Sequence, residues 1–219
     1  APMAQPRRRV AVVCWDLGHN PAGRAMMLAD LHLEAMEVDL IGPLWSRYAD
    51  KLWSPIETGG YSTVTFTCDR MVDFVPKAYA VAARRRYDLV HVCKPRLPGL
   101  ALGSMIARAS RCPMIVDIDD DELAFFADVP EVDLDAVYPV LLQKPIDAYG
   151  TVIGTSLARH SSVRTVSNVV LRAEYGGIVV RHARSAKPFD PARVSRADGR
   201  ARLGAAPEDF VVLTMPEAA

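Results

Sequence analysis

The sequence predicts an α/β domain of the Rossmann kind, an open and mainly parallel sheet flanked by helices. Three observations carry that prediction. Short apolar runs of strand length alternate with longer segments of helical period, a pattern that demands crossover connections and a sheet covered on both faces. A glycine-containing loop joins the first strand-like run to the first helix-like segment. Half of the 219 residues are hydrophobic, enough to bury a substantial core in one large domain, or in one domain plus a fragment.

The strand candidates are residues 10–15, 38–41, 63–66, 89–93, 114–118, 163–166 and 178–180, seven runs that make one sheet. Between the first two, residues 23–36 place Met27, Leu28, Leu31 and Ala35 at three- and four-residue spacing, as a helix packed on a sheet requires. Residues 44–60 hold two tryptophans and no clear period; they read as a long loop with a short helix, the kind of segment that often binds. Residues 71–85 and 100–110 are helical, the second opened by Pro98 and Gly99. Ser167 or Asn168 caps a short helix over residues 169–175, which Gly176 and Gly177 stop. After Val180 the chain turns polar and proline-containing, so residues 181–191 read as a linker that closes a first domain near residue 182. Residues 191–203 have helical character, and residues 210–213 form one more strand without visible partners.

Composition excludes several function classes. Lysine plus arginine equals aspartate plus glutamate at 26 each, so no global field draws the protein to nucleic acid or to an anionic membrane. The cysteines Cys14, Cys68, Cys93 and Cys112 contain no CxxC pair, which argues against a zinc or redox motif and fits a reducing compartment. The first nine residues lack the apolar core of a secretory leader, and no apolar stretch reaches the roughly 20 residues of a membrane span. The expectation is a cytoplasmic protein with no integral membrane segment.

In an open parallel sheet, ligands bind beyond the carboxyl ends of the strands. Asp16, Gly18, His19, Asn20, Gly23 and Arg24 follow the first strand; Lys94 and Arg96 follow the fourth; Asp119, Asp120 and Asp121 the fifth; Ser167 and Asn168 the sixth; and His182 comes soon after the seventh. The segment GHNPAGRA has the two-glycine spacing of a Walker A loop, but Arg24 and Ala25 replace its lysine and its hydroxyl residue, so an NTPase is a poor reading. Either its small residues let the backbone approach a phosphate or sugar with Arg24 favouring an anion, or the glycines merely make a tight turn. In DIDDDE, carboxylates one residue apart have the spacing to share a divalent cation, but the expected role is metal-free, with Asp119 or Asp120 contacting hydroxyls. Lys94 and Arg96 flank Pro95, which holds the backbone out of helix, and are either ligand contacts or plain surface charges. His19 and His182 lie beside glycine or strand ends, whereas His32, His91 and His160 sit inside elements and read as packing or surface residues. No nucleophile and no cofactor are expected.

Four segments, RVAVVCWDLGHNPAGRA, YDLVHVCKPRLPGL, CPMIVDIDDDELAFF and TVSNVVLRAEYGGIVVRHAR, resemble the N-terminal half of retaining glycosyltransferases of family four, which have the GT-B fold. The last of them is the most specific. The resemblance spans roughly residues 10–213 and implies two facing Rossmann-like domains. The acceptor, a sugar or glycoconjugate, is then held mainly by the first, and a nucleotide-sugar donor mainly by the second. On this basis Gly18 and its neighbours border the donor phosphates and the acceptor, and Asp119 and Asp120 face the cleft. Residues 183–219 then hold the linker and the start of the donor-binding domain. The family's glycine- and basic-rich loop gives way to Met215, Pro216, Glu217, Ala218 and Ala219, and its acidic ribose-gripping motif is absent. The expectation is a glycosyltransferase half that does not turn over alone. Its rival is a noncatalytic binding or assembly module that docks a separate donor-binding chain, or a homo-oligomer partner. A dinucleotide oxidoreductase is disfavoured, because no GxGxxG follows the first strand.

Overall fold

The computed structural model describes residues 7–53, 60–128, 148–183, 190, 192–193 and 195–212. Seven strands, β1 (Arg9–Cys14), β2 (Glu37–Trp45), β3 (Ser62–Cys68), β4 (Leu89–Cys93), β5 (Met114–Ile118), β6 (Val163–Val166) and β7 (Ile178–Val179), form one sheet in the order β3-β2-β1-β4-β5-β6-β7. Every pairing is parallel. Among the described residues the helices are α1 (Ala22–Leu33), α2 (Met71–Arg84), α3 (Leu97–Ser110), α4 (Ala148–Arg159), α5 (Val169–Tyr175) and α6 (Arg196–Leu203), and a 3₁₀ turn (Glu122–Phe125) follows β5. This is the Rossmann-like open sheet that the alternating pattern predicts.

Burial on both faces explains why the central strands read as continuous apolar runs: Val10, Ala11, Val12, Val13 and Cys14 are all fully buried. One face packs Ala11, Val13, Val90, Val92, Val116 and Val166 under α2, α3, α4 and α5. The other packs Val10, Val12, Cys14, Val38 and Leu40 under α1. Right-handed crossovers produce this division, since β1 to β3 step one way along the sheet and β4 to β7 step the other. The reversal lies between β1 and β4, where Cys14 pairs with Cys93. Beyond that pair, the residues following β1, β4 and β5 emerge on one edge at the topological switch point.

Some elements differ from expectation. β2 runs four residues past its expected end, through Gly42 and Pro43 to Trp45. α4, with the sequence AYGTVIGTSLAR, was not foreseen; it buries Gly150, Thr151, Gly154, Thr155 and Ala158. Gly154 is required there, because a Cβ would collide with the Pro95 carbonyl. In the expected loop at 44–60, residues 46–53 form turns and no helix, and residues 54–59 lie outside the described residues.

The chain divides into two compact units, Ala1–His182 and Ala183–Ala219. The first holds the whole sheet. In the second, α6 begins at a capping box made by Ser195 and Asp198 and ends at Gly204 in the left-handed region (φ 68°), and it buries no residue. The helix expected over 191–203 is thus the shorter Arg196–Leu203. The strand expected at 210–213 is not formed by residues 210–212, and Leu213 lies outside the described residues; a lone strand has no ladder to join, and Phe210 is 92% exposed. Most of the expected linker, residues 184–189 and 191, also lies outside the described residues. No helix among the described residues is long and apolar enough to cross a membrane.

Candidate functional site

The turn after β1 is built around Asp16. This side chain is fully buried, and its Oδ1 accepts the Gly18 N–H at 2.6 Å, an Asx turn that folds the chain back toward α1. Its Oδ2 lies 2.9 Å from Nδ1 of His19. The His19 ring stacks on Tyr48 (centroids 4.6 Å apart, 23° between planes), and Trp15 meets both rings edge-on at 5.2 and 6.0 Å. The Arg47 guanidinium lies over the other part of this cluster, 5.1 Å from the Tyr48 centroid. Trp15 is itself held from below, since Trp45 donates from Nε1 to its carbonyl at 2.8 Å.

The turn after β4 places Lys94 in the left-handed region (φ 65°), which an ordinary side chain adopts only when its surroundings over-determine it. Those surroundings are acidic: Lys94 Nζ lies 3.0 Å from Asp119, 2.6 Å from Asp120 and 3.2 Å from Glu122. Arg96 pairs with the second Glu122 oxygen, donates to Thr151 Oγ1 at 2.7 Å, and lies over the Phe126 ring. Burial opposes the Lys94 charge, but Asp119, Glu122 and Asp120 outweigh it and hold the ammonium above the usual lysine range. For Asp119 burial dominates: against the pull of Lys94, and helped by Asp120 and Asp117, it lifts the carboxyl to about 6. Asp119, Asp120 and Glu122 bring carboxylate oxygens within 4.8 Å of one another, a spacing that suits a cation, and Lys94 supplies that positive charge.

Arg24 departs from expectation. It does not reach toward a ligand as an anion contact; it is buried, donating from Nε and Nη2 to both Asp117 oxygens at 2.9 and 2.8 Å and from Nη2 to the Val180 carbonyl at 2.7 Å. The bidentate pair ties the first turn of α1 to β5 and to the segment after β7. The loop's amides are also committed: Gly18 N–H to Asp16, Ala22 N–H to the His19 carbonyl, and Gly23 N–H to the Asn20 carbonyl. Asn20 and Gly23 therefore shape the turn, which favours the tight-turn reading of GHNPAGRA over the phosphate cradle.

Asn168 likewise spends its side chain on structure, capping α5 by accepting the Val170 and Leu171 N–H groups, each at 2.9 Å. Its neighbour Ser167 donates to the Asp119 carbonyl at 2.6 Å and so fixes the strand tip. His182 is exposed but within electrostatic reach of the cluster; partial burial and then Arg24 lower its pKa, while Asp120 and Asp117 oppose. The structure thus gathers Gly18, His19, Lys94, Arg96, Asp119 and Asp120 along one edge, with His182 near, and assigns Asn20, Gly23, Arg24 and Asn168 to holding it. Sequence reasoning passed over Trp15, Tyr48, Glu122 and Thr151 as site residues. Trp15 and Glu122 were within reach of the strand-end rule; Tyr48 and Thr151 come from a loop and a helix whose placement no local pattern reports.

Trp15 Nε1 and Arg96 Nε are buried without a hydrogen-bond partner among the described residues, whereas Asp16 Oδ2 is paired with His19 Nδ1 at 2.9 Å and Asp119 Oδ1 with Lys94 Nζ at 3.0 Å. An unmade buried hydrogen bond costs about 1–3 kcal/mol, so these two donors are an energetic cost carried at the strand-end edge. No protein-family model matches the chain, and no curated protein matches it.

Proposed function

We infer that the unit Ala1–His182 is the acceptor-binding half of a glycosyltransferase that uses a nucleotide-sugar donor. The observation that carries the reading is a mixed polar and aromatic edge, with Lys94, Asp119 and Asp120 and the Trp15, His19 and Tyr48 rings on the strand-end side of the switch point of a parallel sheet. A sugar ring carries hydroxyls that both donate and accept, which suits an edge that presents carboxylates and an ammonium side by side. Its apolar face suits the aromatic cluster. The resemblance of the four strand-turn segments to family-four glycosyltransferases supports the same reading, and it assigns the nucleotide part of the donor mainly to a second domain.

Saturation-transfer NMR with a panel of monosaccharides, disaccharides and nucleotide sugars tests this. Simple glycosides bind weakly, nucleotide sugars bind no more tightly than their sugars, and Trp15→Phe, which deletes only the indole donor and part of the ring, weakens both. Tight binding of a nucleotide with no response to any carbohydrate would sink the reading.

A further inference from the structure

We propose that the amino-terminal edge of the sheet, opposite the candidate site, docks on an anionic phospholipid surface. The chain's net charge of zero conceals a basic edge. The arginine triplets 7–9 and 84–86, with Arg108 and Arg111, meet where β1 and β4 begin and where α2 and α3 end. Hydrogen bonds join these segments: Asp88 N–H donates to the Arg9 carbonyl and Glu37 N–H to the Arg8 carbonyl, each at 2.8 Å, and Tyr87 N–H donates to Ser110 Oγ at 3.1 Å. Beside Glu34, the acids of this edge are engaged: Glu37 pairs with Arg9, the buried Asp39 takes Arg85 and the Tyr87 hydroxyl, and Asp88 takes the Arg9 N–H. Among the described residues, the exposed side chains of Arg8, Arg84, Arg86, Arg108 and Arg111 make no ion pair or hydrogen bond, whereas Lys94, Arg96 and Arg24 at the other edge are all paired. The carboxyl ends of α1, α2 and α3 lie here too, but about half a negative charge from each leaves the edge basic.

What adjoins these arginines selects lipid over nucleic acid. α2 buries Phe74, Ala78, Val81 and Ala82 in the core and turns Val72, Val75 and Tyr79 outward at three- and four-residue spacing, with Tyr79 64% exposed. This outward stripe runs into Arg84 and the two arginines that follow it. Aliphatic side chains offer no stacking surface to a base but settle at the acyl boundary of a bilayer, while guanidinium forks take phosphate oxygens two at a time. A surface at the amino-terminal edge leaves the carboxyl-end site open, so the proposal stands independently of the glycosyl reading.

The test is co-sedimentation of the full chain with vesicles of phosphatidylcholine, alone or mixed with phosphatidylglycerol. The chain should pellet with the mixed vesicles at about 0.1 M salt, stay in solution with the neutral ones, and be released at about 1 M, where the screening length falls to about 3 Å. Arg86→Glu, at an exposed position, should weaken binding at least about fivefold, the contribution of one arginine near such a surface. Tyr79→Ser should weaken it several-fold. Lys51→Glu makes the same change of charge in the loop that Trp53 ties to the Leu17 carbonyl at the opposite edge, and should alter binding by less than about twofold. No pelleting with either vesicle, equal pelleting with both, or equal losses from R86E and K51E overturns the proposal. So does a chain that ignores vesicles and binds polyuridylate, which would make the edge an RNA surface.

Discussion

Replacing Asp119 with Asn should make the protein more stable at neutral and alkaline pH. Asp119 is 5% exposed, and its carboxyl is raised from an ordinary 3.8 to about 6, chiefly by burial. Because the folded pKa is the higher one, the folded state binds more protons than the unfolded chain between the two values. The carboxyl therefore destabilises the fold above about pH 6, and that cost disappears as pH falls toward 3.8. Roughly two units correspond to about 3 kcal/mol. His91 has the opposite sign in nearly the same window. It is 3% exposed, bonded through its ring nitrogens to His32 and Thr165, and burial lowers it from 6.5 to about 4. Its folded pKa is depressed, so the unfolded chain binds the extra proton and stability falls as pH drops from 6.5 to about 4, again by about 3 kcal/mol. In the wild type the two slopes oppose one another. D119N removes one of them: denaturant unfolding at half-unit steps from pH 4 to 8 should show the variant about 3 kcal/mol more stable at pH 8, with the advantage shrinking toward pH 4 and a steeper acid limb. A D119N protein equal to or less stable than wild type at pH 8 would refute the reasoning, because Lys94 would then be stabilising the carboxylate beyond its burial cost.

Three further outcomes are expected. Arg24→Met strands the fully buried Asp117 and should cost about 3–5 kcal/mol by denaturant unfolding, whereas Arg47→Ala, at an exposed position, should change stability by less than about 0.5 kcal/mol. Gly154→Ala drives a methyl into the Pro95 carbonyl and should lower stability by about 1–3 kcal/mol and weaken glycoside binding, since α4 carries Thr151 against Arg96. Removing the unit Ala183–Ala219 should leave a single cooperative thermal transition, because the entire sheet lies in Ala1–His182; loss of cooperativity would move the boundary.

Much of the fold was legible because buried parallel strands carry their own signal. β4, β5 and β6 begin and end where the apolar runs at 89–93, 114–118 and 163–166 do. β2 was cut short in the reading because Gly42 and Pro43 look like a turn. In the structure Pro43 pairs with Phe66 and its carbonyl accepts the Leu17 N–H at 3.0 Å, so tertiary pairing overrides the local signal. α4 was missed because glycines and β-branched residues are poor helix formers, yet the same small residues let it approach the Lys94–Arg96 turn. At the site, the strand-end rule located Lys94, Asp119 and Asp120, but it gave no way to see that Arg24 is consumed by Asp117, 93 residues away in sequence. A cation beside a glycine loop looks the same in sequence whether it faces a ligand or a buried carboxylate.

The most direct measurement of carbohydrate binding at the switch point uses the three indole N–H resonances of the protein, from Trp15, Trp45 and Trp53. Trp15 Nε1 is a buried donor without a partner among the described residues, while Trp45 Nε1 is tied to the Trp15 carbonyl and serves as an internal control. In a titration with neutral glycosides, followed in nitrogen-15-labelled protein with W15F for assignment, the Trp15 indole should move progressively and the Trp45 indole much less. A sugar that binds while the Trp15 resonance stays fixed, or that shifts only Trp53, would contradict placement of the acceptor at this edge.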